Sequence, residues 1–348
     1  MKASNKTSTT FLISRIDAIG DVVLTLPLAG WLKQHVPGAR VLFLGRTYTK
    51  PVVACCRHVD AFLNWDEMQL LSQPEKIKLL KDQQVDSIIH VFPNKQIALL
   101  ARQAGIKQRI GTRNRWFHLF TVNTLVALSR RHSPYHESQL NFALLQPLGL
   151  ERIPALAEVI TYLDFSVVPP LPEKWQAYLQ TDKPQIILHP KSKGSAREWG
   201  LTHFGELARQ LHAQGWQVLI SGSKPEQELL QEWLRENQAY ITDFTGKLNL
   251  TEFISLIKVC TGLVGASTGP LHLAASLGVP ALGLYPPIKP MHPGRWAPLG
   301  PHADYLVMPK NCEDCRKVPG SCICIQQITV AQVLAKINKW PSSELISD

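Results

Sequence analysis

Short apolar runs alternate along this chain with segments whose apolar residues recur at helical spacing. Residues 11–15 (FLISR) form such a run, which ends at a turn over residues 18–21, and residues 22–37 then show helical spacing. The runs at 41–45 (VLFLG) and 87–92 (SIIHVF) are short enough to be buried parallel strands. This alternation predicts an α/β fold with parallel sheets.

The same pattern restarts after a proline-bearing segment, residues 166–172 (SVVPPLP), which disfavours helix and predicts a linker. In the second half, the pattern predicts strands at 185–190, 216–222, 241–246, 262–267 and 281–287, and helices at 204–215, from about 225, at 251–260, at 270–278 and at 330–339. The chain thus contains two serial α/β halves without internal sequence repetition.

The length of 348 residues exceeds the size at which one hydrophobic core keeps growing. We therefore expect two Rossmann-like domains, residues 1–168 and 169–348, facing a central cleft. Ligands of such doubly wound sheets bind at the carboxyl ends of the strands. The final helix is expected to pack back on the N-terminal domain.

Hydrophobic residues make up 45% of the chain and charged residues 18%, as in ordinary folded proteins. No apolar run approaches the roughly 20 residues that span a bilayer, and the polar start does not resemble a signal peptide. Because the seven cysteines lack the spacing of a secreted disulfide framework, we expect a cytoplasmic protein. The net charge of +10 favours an anionic partner, whether nucleic acid, anionic lipid or phosphorylated glycan.

Asp21 follows the first predicted strand, where a carboxylate is well placed to accept a proton from a bound hydroxyl. The same residue could instead cap the helix that follows. Asp17, four residues earlier, is a rival candidate for the base.

Two segments of the second half are candidate phosphate-binding sites. One is the loop after the first strand, residues 189–199 (HPKSKGSAREW), which lacks the Walker-A spacing but concentrates cations and hydroxyls. The other is Ser267-Thr268-Gly269-Pro270, which reads as a strand end, a cap and the first turn of a helix whose free N–H groups attract phosphate. The interpretations without a ligand, a solvated basic loop and a well-capped helix with a packed His272, stay open.

A basic segment, residues 102–131, carries seven arginines and lysines and no acidic residue, with Trp116, Phe117 and Phe120 interleaved. The aromatics raise the possibility of single-stranded nucleic acid, but no RNA-binding signature accompanies them, and we expect no nucleic-acid partner. Arg113 and Arg115 are the candidate contacts for an anionic acceptor.

Four thiols near the end of the chain, Cys312, Cys315, Cys322 and Cys324, would be enough for a tetrahedral zinc ion. The closing Cys-x-Cys is uncommon for such a site, so a loop without metal is favoured over a zinc site.

In combination, these motifs resemble glycosyltransferase family 9, the ADP-heptose:lipopolysaccharide heptosyltransferases. The residues that carry the resemblance are the AIGDVVLTLP segment at 18–27, His189-Pro190 with Arg197 and Trp199, Gly222 followed by Glu226 and Glu228, and the STGPLHLAA segment at 267–275. The resemblance implies an inverting, metal-independent enzyme of the GT-B type that needs no cofactor, takes an ADP-sugar as donor and acts on lipopolysaccharide core. From the basic segment and the net charge of +10, we expect peripheral contact with the inner face of the cytoplasmic membrane.

The resemblance also implies roles for individual residues. Asp21 matches the base that deprotonates the acceptor hydroxyl, and Glu228, or Glu226, matches an acid near the nucleoside ribose. Arg197, Thr268, Gly269 and His272 match the residues that contact the diphosphate. From the composition of their segments, we add Lys191, Ser192, Lys193 and Ser267 to the candidate donor and phosphate contacts.

Ser267 departs from the family pattern, because many relatives carry an aspartate there that is thought to contact the sugar. This departure leaves a GT-B transferase using another nucleotide sugar as an alternative. Two further alternatives to heptose transfer stay open, a sugar-nucleotide epimerase and a non-catalytic glycan-binding relative. Turnover without acceptor would indicate the epimerase, and acceptor binding without ADP release would indicate the non-catalytic relative.

Overall fold

The computed structural model describes residues 8–130, 133–289, 291–309 and 323–341. The chain divides into two compact units, Met1–Val167 and Val168–Asp348, and the division falls inside the proline-bearing segment. Each unit contains a six-stranded parallel sheet whose strands are connected by helices. The predicted α/β fold is confirmed.

The first unit contains six strands and nine α-helices within its described residues. The strands are β1 (Thr10–Ser14), β2 (Arg40–Gly45), β3 (Ala61–Asn64), β4 (Ser87–His90), β5 (Gln108–Thr112) and β6 (Thr124–Val126). The helices are α1 (Ile19–Val23), α2 (Pro27–His35), α3 (Lys50–Ala54), α4 (Trp65–Leu70), α5 (Gln73–Asp82), α6 (Lys95–Gln103), α7 (His118–Thr121), α8 (Glu137–Phe142) and α9 (Leu156–Thr161). The strand order is β3-β2-β1-β4-β5-β6.

The second unit repeats this topology. Its strands are β7 (Gln185–His189), β8 (Gln217–Ile220), β9 (Ile241–Asp243), β10 (Gly262–Ala266), β11 (Ala281–Tyr285) and β12 (Ala303–Val307). Its helices in the described ranges are α10 (Glu173–Gln176), α11 (Leu201–Ala213), α12 (Lys224–Glu236), α13 (Leu250–Val259), α14 (Gly269–Ser276), α15 (Pro293–Trp296) and α16 (Val330–Ile337). The order β9-β8-β7-β10-β11-β12 is that of the first sheet, with β7 in the place of β1.

The segment predicted as one helix over residues 22–37 is two helices, α1 and α2. Pro27 occupies the first position of α2, where its missing N–H costs nothing, and it separates the two helices. Helix α1 also begins earlier than predicted, so Asp21 lies in its first turn and not in a loop.

The last helix, α16, contributes Val333, Leu334 and Ile337 to the hydrophobic core of the second unit. That core also contains Trp199, whose Nε1 donates a hydrogen bond to the Ile328 carbonyl at 2.7 Å. These apolar residues of α16 are therefore buried within the second unit.

None of the helices in the described ranges combines the length and the apolar character needed to cross a bilayer.

Candidate active site

Both sheets have a switch point between their first and fourth strands. In this strand order the connections leave the two central strands toward opposite sides, which opens a crevice at their carboxyl ends. Ser14 of β1 is in register with His90 of β4, and Gly265 of β10 is in register with His189 of β7. The segments after β1 and β4, and those after β7 and β10, therefore lie side by side.

Arg15, the residue after β1, is surrounded by three carboxylates. Its Nε and Nη2 donate to the two oxygens of Asp17 at 2.7 and 2.9 Å, and Nη2 also donates to Oδ1 of Asp21. Its Nη1 donates to Oε1 of Glu137 at 3.2 Å. The Arg15 side chain is only 3% exposed, so this cation is held almost entirely inside the protein.

Burial raises the pKa of Asp21 to about 6, although the charge of Arg15 lowers it, and the charges of Asp17 and Glu137 raise it further. The side chain keeps 20% exposure. Its Oδ2 accepts no hydrogen bond from any residue in the described ranges. Asp21 thus offers a free carboxylate oxygen that titrates close to neutral pH, as a general base requires.

Helix α8 contributes two side chains, Glu137 and Asn141, to this cluster. Glu137, 1% exposed, also accepts from Nε of Arg130 at 3.0 Å. The Asn141 amide oxygen accepts from Arg130 Nη2 at 3.0 Å and from Arg15 Nη1 at 3.4 Å, while its nitrogen donates to the Leu24 carbonyl at 3.2 Å. These contacts join α8 to the loop after β1 and to the end of α1.

The structure separates the two interpretations of Asp21. The N-cap of α1 is Ala18, which provides no side-chain cap, and the Asp21 carboxylate faces Arg15 instead. Asp17 differs from Asp21 because both of its oxygens are engaged by the same guanidinium. Of the two candidate bases, Asp21 is therefore the one that keeps a carboxylate oxygen without a hydrogen bond from the described residues.

In the second unit, Glu198 organises the loop after β7. Its Oε2 lies 2.7 Å from Lys191 Nζ, and its Oε1 accepts from the Ser192 backbone N–H at 3.1 Å. The Ser192 hydroxyl donates to the Ala196 carbonyl at 2.9 Å. Of the predicted phosphate contacts, Lys191 and Ser192 are thus engaged within the loop itself.

The remaining cations of this loop are differently placed. Lys193 is exposed, and it adopts a left-handed backbone with φ 50°, followed by Gly194 at φ 77°. Arg197 is half-buried, and its Nε is shielded from solvent without a hydrogen-bond partner among the described residues. Lys193 and Arg197 are therefore the two cations of the loop that are not already paired with Glu198.

A buried acid lies beside this loop. Glu226, at the start of α12, is 4% exposed and accepts from the backbone N–H and the hydroxyl of Ser223, each at 2.7 Å. Burial acts to raise the pKa of Glu226, but these hydrogen bonds and the charges of His189 and Lys193 lower it overall. Glu228, two positions further along the helix, points to the opposite face and is exposed. The structure thus brings Glu226, and not Glu228, to the loop.

Helix α14 begins at Gly269, directly after β10. Thr268 occupies the N-cap position, but its hydroxyl donates to the Ala266 carbonyl at 3.2 Å and does not cap the helix. Pro270 has no N–H, so the first turn presents the N–H groups of Gly269 and Leu271 without a side-chain cap. This helix start therefore keeps the free donors that favour an anion. His272 is buried in the same turn.

Arg113 and Arg115 follow the carboxyl end of β5, the same edge of the first sheet that carries Asp21. Both are exposed, and neither forms an ion pair with another residue in the described part of the chain. Of the four candidate zinc ligands, Cys312, Cys315 and Cys322 lie outside the described residues. Cys324 is buried at the start of a 3-10 turn.

Residues 75–324 match the profile of the family described as Glycosyltransferase family 9 (heptosyltransferase). This segment is well over half of the chain and extends from α5 to the turn at Cys324. The chain belongs to glycosyltransferase family 9.

This family member is similar to proteins that are named as heptosyltransferases. It is 26% identical over 300 residues to lipopolysaccharide heptosyltransferase 2 of Escherichia coli K12, with 78% of this chain and 81% of that protein covered. The solved structure of glycosyl transferase family 9 from Veillonella parvula covers 95% of this chain and 96% of its own, at 19% identity and a TM-score of 0.78. The structure of E. coli ADP-heptose LPS heptosyltransferase II covers 95% and 97%, at 23% identity and a TM-score of 0.72.

The family resemblance found in the motifs is confirmed by these matches, as is the GT-B fold. The chain is a glycosyltransferase. The family motifs did not indicate the residues that hold Asp21 in place, since Arg15, Glu137 and Asn141 belong to none of them. One signal was present: Arg15 is a charged residue that directly ends an apolar strand, where parallel sheets present their functional side chains.

Proposed function

We propose that this enzyme transfers a heptose from ADP-heptose to a hydroxyl group of the lipopolysaccharide inner core, with inversion and without a metal ion. The observation that carries the proposal is Asp21, whose pKa is raised by burial to about 6 and whose Oδ2 is open at the carboxyl edge of the first sheet. Membership of a heptosyltransferase family supports the choice of sugar and acceptor.

In this mechanism Asp21 Oδ2 accepts the proton of the acceptor hydroxyl as its oxygen bonds to the anomeric carbon. The bond from that carbon to the diphosphate oxygen breaks, and ADP leaves with the electron pair. Because attack and departure occur on opposite faces in one displacement, the anomeric configuration inverts. Asp21 must be ionised for this step, which its pKa allows at neutral pH.

The negative charge that develops on ADP requires donors that are already in place. We assign this role to Lys193 and Arg197 of the loop after β7 and to the first turn of α14, Thr268 and Gly269. Lys191 and Ser192, held by Glu198, fix the shape of the loop around them. Glu226 takes the ribose-side role that the family resemblance allowed for either it or Glu228.

This assignment gives the two units different tasks. Residues 1–168 would bind the acceptor through Arg113 and Arg115 and supply the base, while residues 169–348 would bind the nucleotide sugar. His272, buried in the first turn of α14, would line the phosphate site. The reaction would take place in the cytoplasm, at the inner face of the membrane, with no cofactor beyond the ADP-sugar substrate.

One observation favours a second candidate, a different nucleotide sugar. Ser267 stands where the family resemblance leads us to expect an aspartate, and it lies beside the hydroxyl of the buried Tyr285. Tyr285 in turn donates to the Trp296 carbonyl at 2.5 Å, so the serine is held in a fixed environment. A serine cannot offer the charged acceptor that an aspartate offers to sugar hydroxyls.

The test is release of ADP or other nucleoside diphosphate from a panel of nucleotide sugars, with and without truncated core acceptors. If the enzyme transfers heptose, ADP should be released from ADP-heptose only when the acceptor is present. NMR of the product should show an inverted anomeric configuration, and the rate of transfer should not change when a chelator removes divalent metal ions. Turnover without acceptor would instead indicate an epimerase. Acceptor binding with no release from any donor would overturn the assignment as a transferase of this substrate pair.

A further inference from the structure

The first unit exposes four large apolar side chains in two neighbouring helical segments. Leu99 of α6 is 37% exposed, and Trp116, Leu119 and Phe120, in and beside α7, are 65%, 58% and 67% exposed. We call these four residues the α6–α7 patch. A contiguous exposed apolar surface of this kind marks an interaction site more often than scattered exposed side chains do.

Two contacts show that the patch is continuous. Lys95 Nζ lies 4.9 Å from the centroid of the Trp116 ring, and Arg102 Nη1 donates to the Phe120 carbonyl at 2.7 Å. Lys95, Leu99 and Arg102 lie on one face of α6, because they recur at the spacing of successive helical turns. Leu99 is therefore located between the two residues that contact α7.

Side-chain contacts with backbone carbonyls fix the turn that carries the patch. His118 is fully buried, and its Nδ1 lies 2.7 Å from the Thr112 carbonyl. Arg109 Nε donates to the Thr121 carbonyl at 2.8 Å, next to the carbonyl that Arg102 binds. The last carbonyls of α7 are thus bound by two guanidinium groups, so the exposed side chains project from a fixed support.

The segment that carries the patch has only positively charged side chains among its charged residues. Residues 87–136 contain eight lysines and arginines and no aspartate or glutamate. Arg113 and Arg115, directly before Trp116, are exposed and have no acidic partner in the described ranges. A tryptophan with leucine and phenylalanine beside several arginines and lysines is the composition that binds the headgroup region of an anionic bilayer.

We propose that the α6–α7 patch docks the first unit on a bilayer that contains anionic lipid, with Trp116, Leu119 and Phe120 entering the headgroup region. The inference deepens the proposed function and rests on it for the identity of the acceptor. The segment with Trp116 follows β5 at the sheet edge that also carries Asp21. Docking here brings the base to the surface from which a membrane-anchored acceptor projects.

Vesicle co-sedimentation of the full chain tests the docking, with phosphatidylcholine vesicles compared with vesicles in which about one third of the lipid is phosphatidylglycerol. The patch variants are Leu119→Ser with Phe120→Ser, and Trp116→Ser alone. The matched control is Leu70→Ser, since Leu70 is an 88% exposed leucine of the same unit. Thermal unfolding of every variant and ADP release with a water-soluble acceptor show that the chains are folded and active.

We expect the wild-type chain and Leu70→Ser to bind anionic vesicles, with binding that falls as salt rises, and the double variant to bind about tenfold more weakly. Equal binding of wild type and both patch variants would overturn the proposal, as would no binding of wild type to anionic vesicles. Concentration-dependent self-association that the patch variants abolish would also overturn it, because the patch would then bind a second copy.

The two proposals fail separately in these experiments, because vesicle binding needs no donor and ADP release from a water-soluble acceptor needs no vesicle. Patch-dependent binding without transfer would contradict the proposed function alone. Normal transfer without patch-dependent binding would contradict the docking alone.

Discussion

Arg15 and Glu137 are 122 positions apart in the sequence, yet Arg15 Nη1 donates to Glu137 Oε1 at 3.2 Å. Their side chains are 3% and 1% exposed. Buried charges are tolerated only when paired, so this contact ties α8 to the loop after β1. Because the same guanidinium binds Asp21, α8 affects the proposed catalytic carboxylate in two ways. It helps to position Arg15, and the charge of Glu137 raises the pKa of Asp21.

Replacing Arg15 with methionine should strongly destabilise the first unit. The change removes the cation shared by Asp17, Asp21 and Glu137 and leaves three partly or fully buried carboxylates near one another. We expect the free energy of unfolding at pH 7 to fall by about 3 to 5 kcal/mol, the cost of breaking a buried ion pair, measured by urea titration.

The matched control for this variant is Lys78→Met. Lys78 pairs with Asp82 at 3.3 Å, but both side chains are mostly exposed, at 79% and 60%. An exposed pair contributes about 1 kcal/mol at most, so this variant should unfold close to wild type. Similar losses in the two variants would show that the Arg15 cluster is not a buried ion-pair network.

The pH dependence of kcat/KM should show an acid limb near 6, because Asp21 accepts a proton only when it is ionised and burial raises its pKa to about 6. The charge of Glu137 contributes to that raised pKa. Glu137→Gln should therefore move the limb to lower pH, while Asp82→Asn, an exposed control, should not. A limb that stays in place in Glu137→Gln would mean that α8 does not act electrostatically on the base.

The central strands could be predicted from the sequence because they are fully buried and continuously apolar. Residues 11–13 of β1 and 186–188 of β7 are examples, and both strands lie in the middle of their sheets. The strands β5 (QRIGT) and β6 (TLV) were not predicted because they are short and partly polar, as is usual toward a sheet edge. These segments form strands because they pair with neighbouring strands, and their own sequence of apolar and polar residues does not predict it.

For the candidate site, the sequence indicated segments but not pairings. Lys191 and Lys193 are equivalent cations in the sequence, but the position of Glu198 engages one and leaves the other exposed. Glu226 and Glu228 differ by two residues, and only the direction of α12 decides which of them is buried. Such distinctions depend on contacts between segments, which a local pattern does not contain.

Arg197→Ala should weaken ADP binding by about 1.5 to 3 kcal/mol, the scale of a hydrogen bond to a charged group, measured by calorimetry. The reason is its Nε, which is buried without a hydrogen-bond partner among the described residues. Arg209→Ala is the control, because Arg209 is exposed and already pairs with Glu206. Unchanged ADP affinity in Arg197→Ala would place the phosphates elsewhere.

Reversing the charges of Arg113 and Arg115 to glutamate should raise the KM for a phosphorylated core acceptor by about tenfold or more, since hydrogen bonds to charged groups are lost. Affinity for the ADP-sugar should not change. The control with the same change in net charge is Lys78→Glu with Lys81→Glu, on the exposed face of α5. A loss of donor affinity in the Arg113/Arg115 variant would contradict the assignment of the acceptor to the first unit.

Asp21→Asn isolates the chemical role of this carboxylate. Asparagine keeps its size but cannot accept the proton, so kcat should fall by about 10² to 10⁴ while the donor Kd stays near normal. The variant should also fold well at pH 7. The raised pKa means that the folded protein binds the Asp21 proton more tightly than the unfolded chain does. Protonated Asp21 therefore adds to the free energy of unfolding at low pH, and this addition is lost as pH rises from about 4 to about 6.

Asparagine stays neutral over this pH range and avoids that loss, so low activity in Asp21→Asn could not be attributed to unfolding. Asp17→Asn is the matched comparison, because each oxygen of the Asp17 carboxylate already accepts a hydrogen bond from Arg15, whereas Asp21 keeps one oxygen without such a bond. We expect Asp17→Asn to retain far more of kcat than Asp21→Asn. If Asp21→Asn turned over at the wild-type rate and Asp17→Asn did not, Asp17 would be the base and the open Oδ2 of Asp21 would have no part in the reaction.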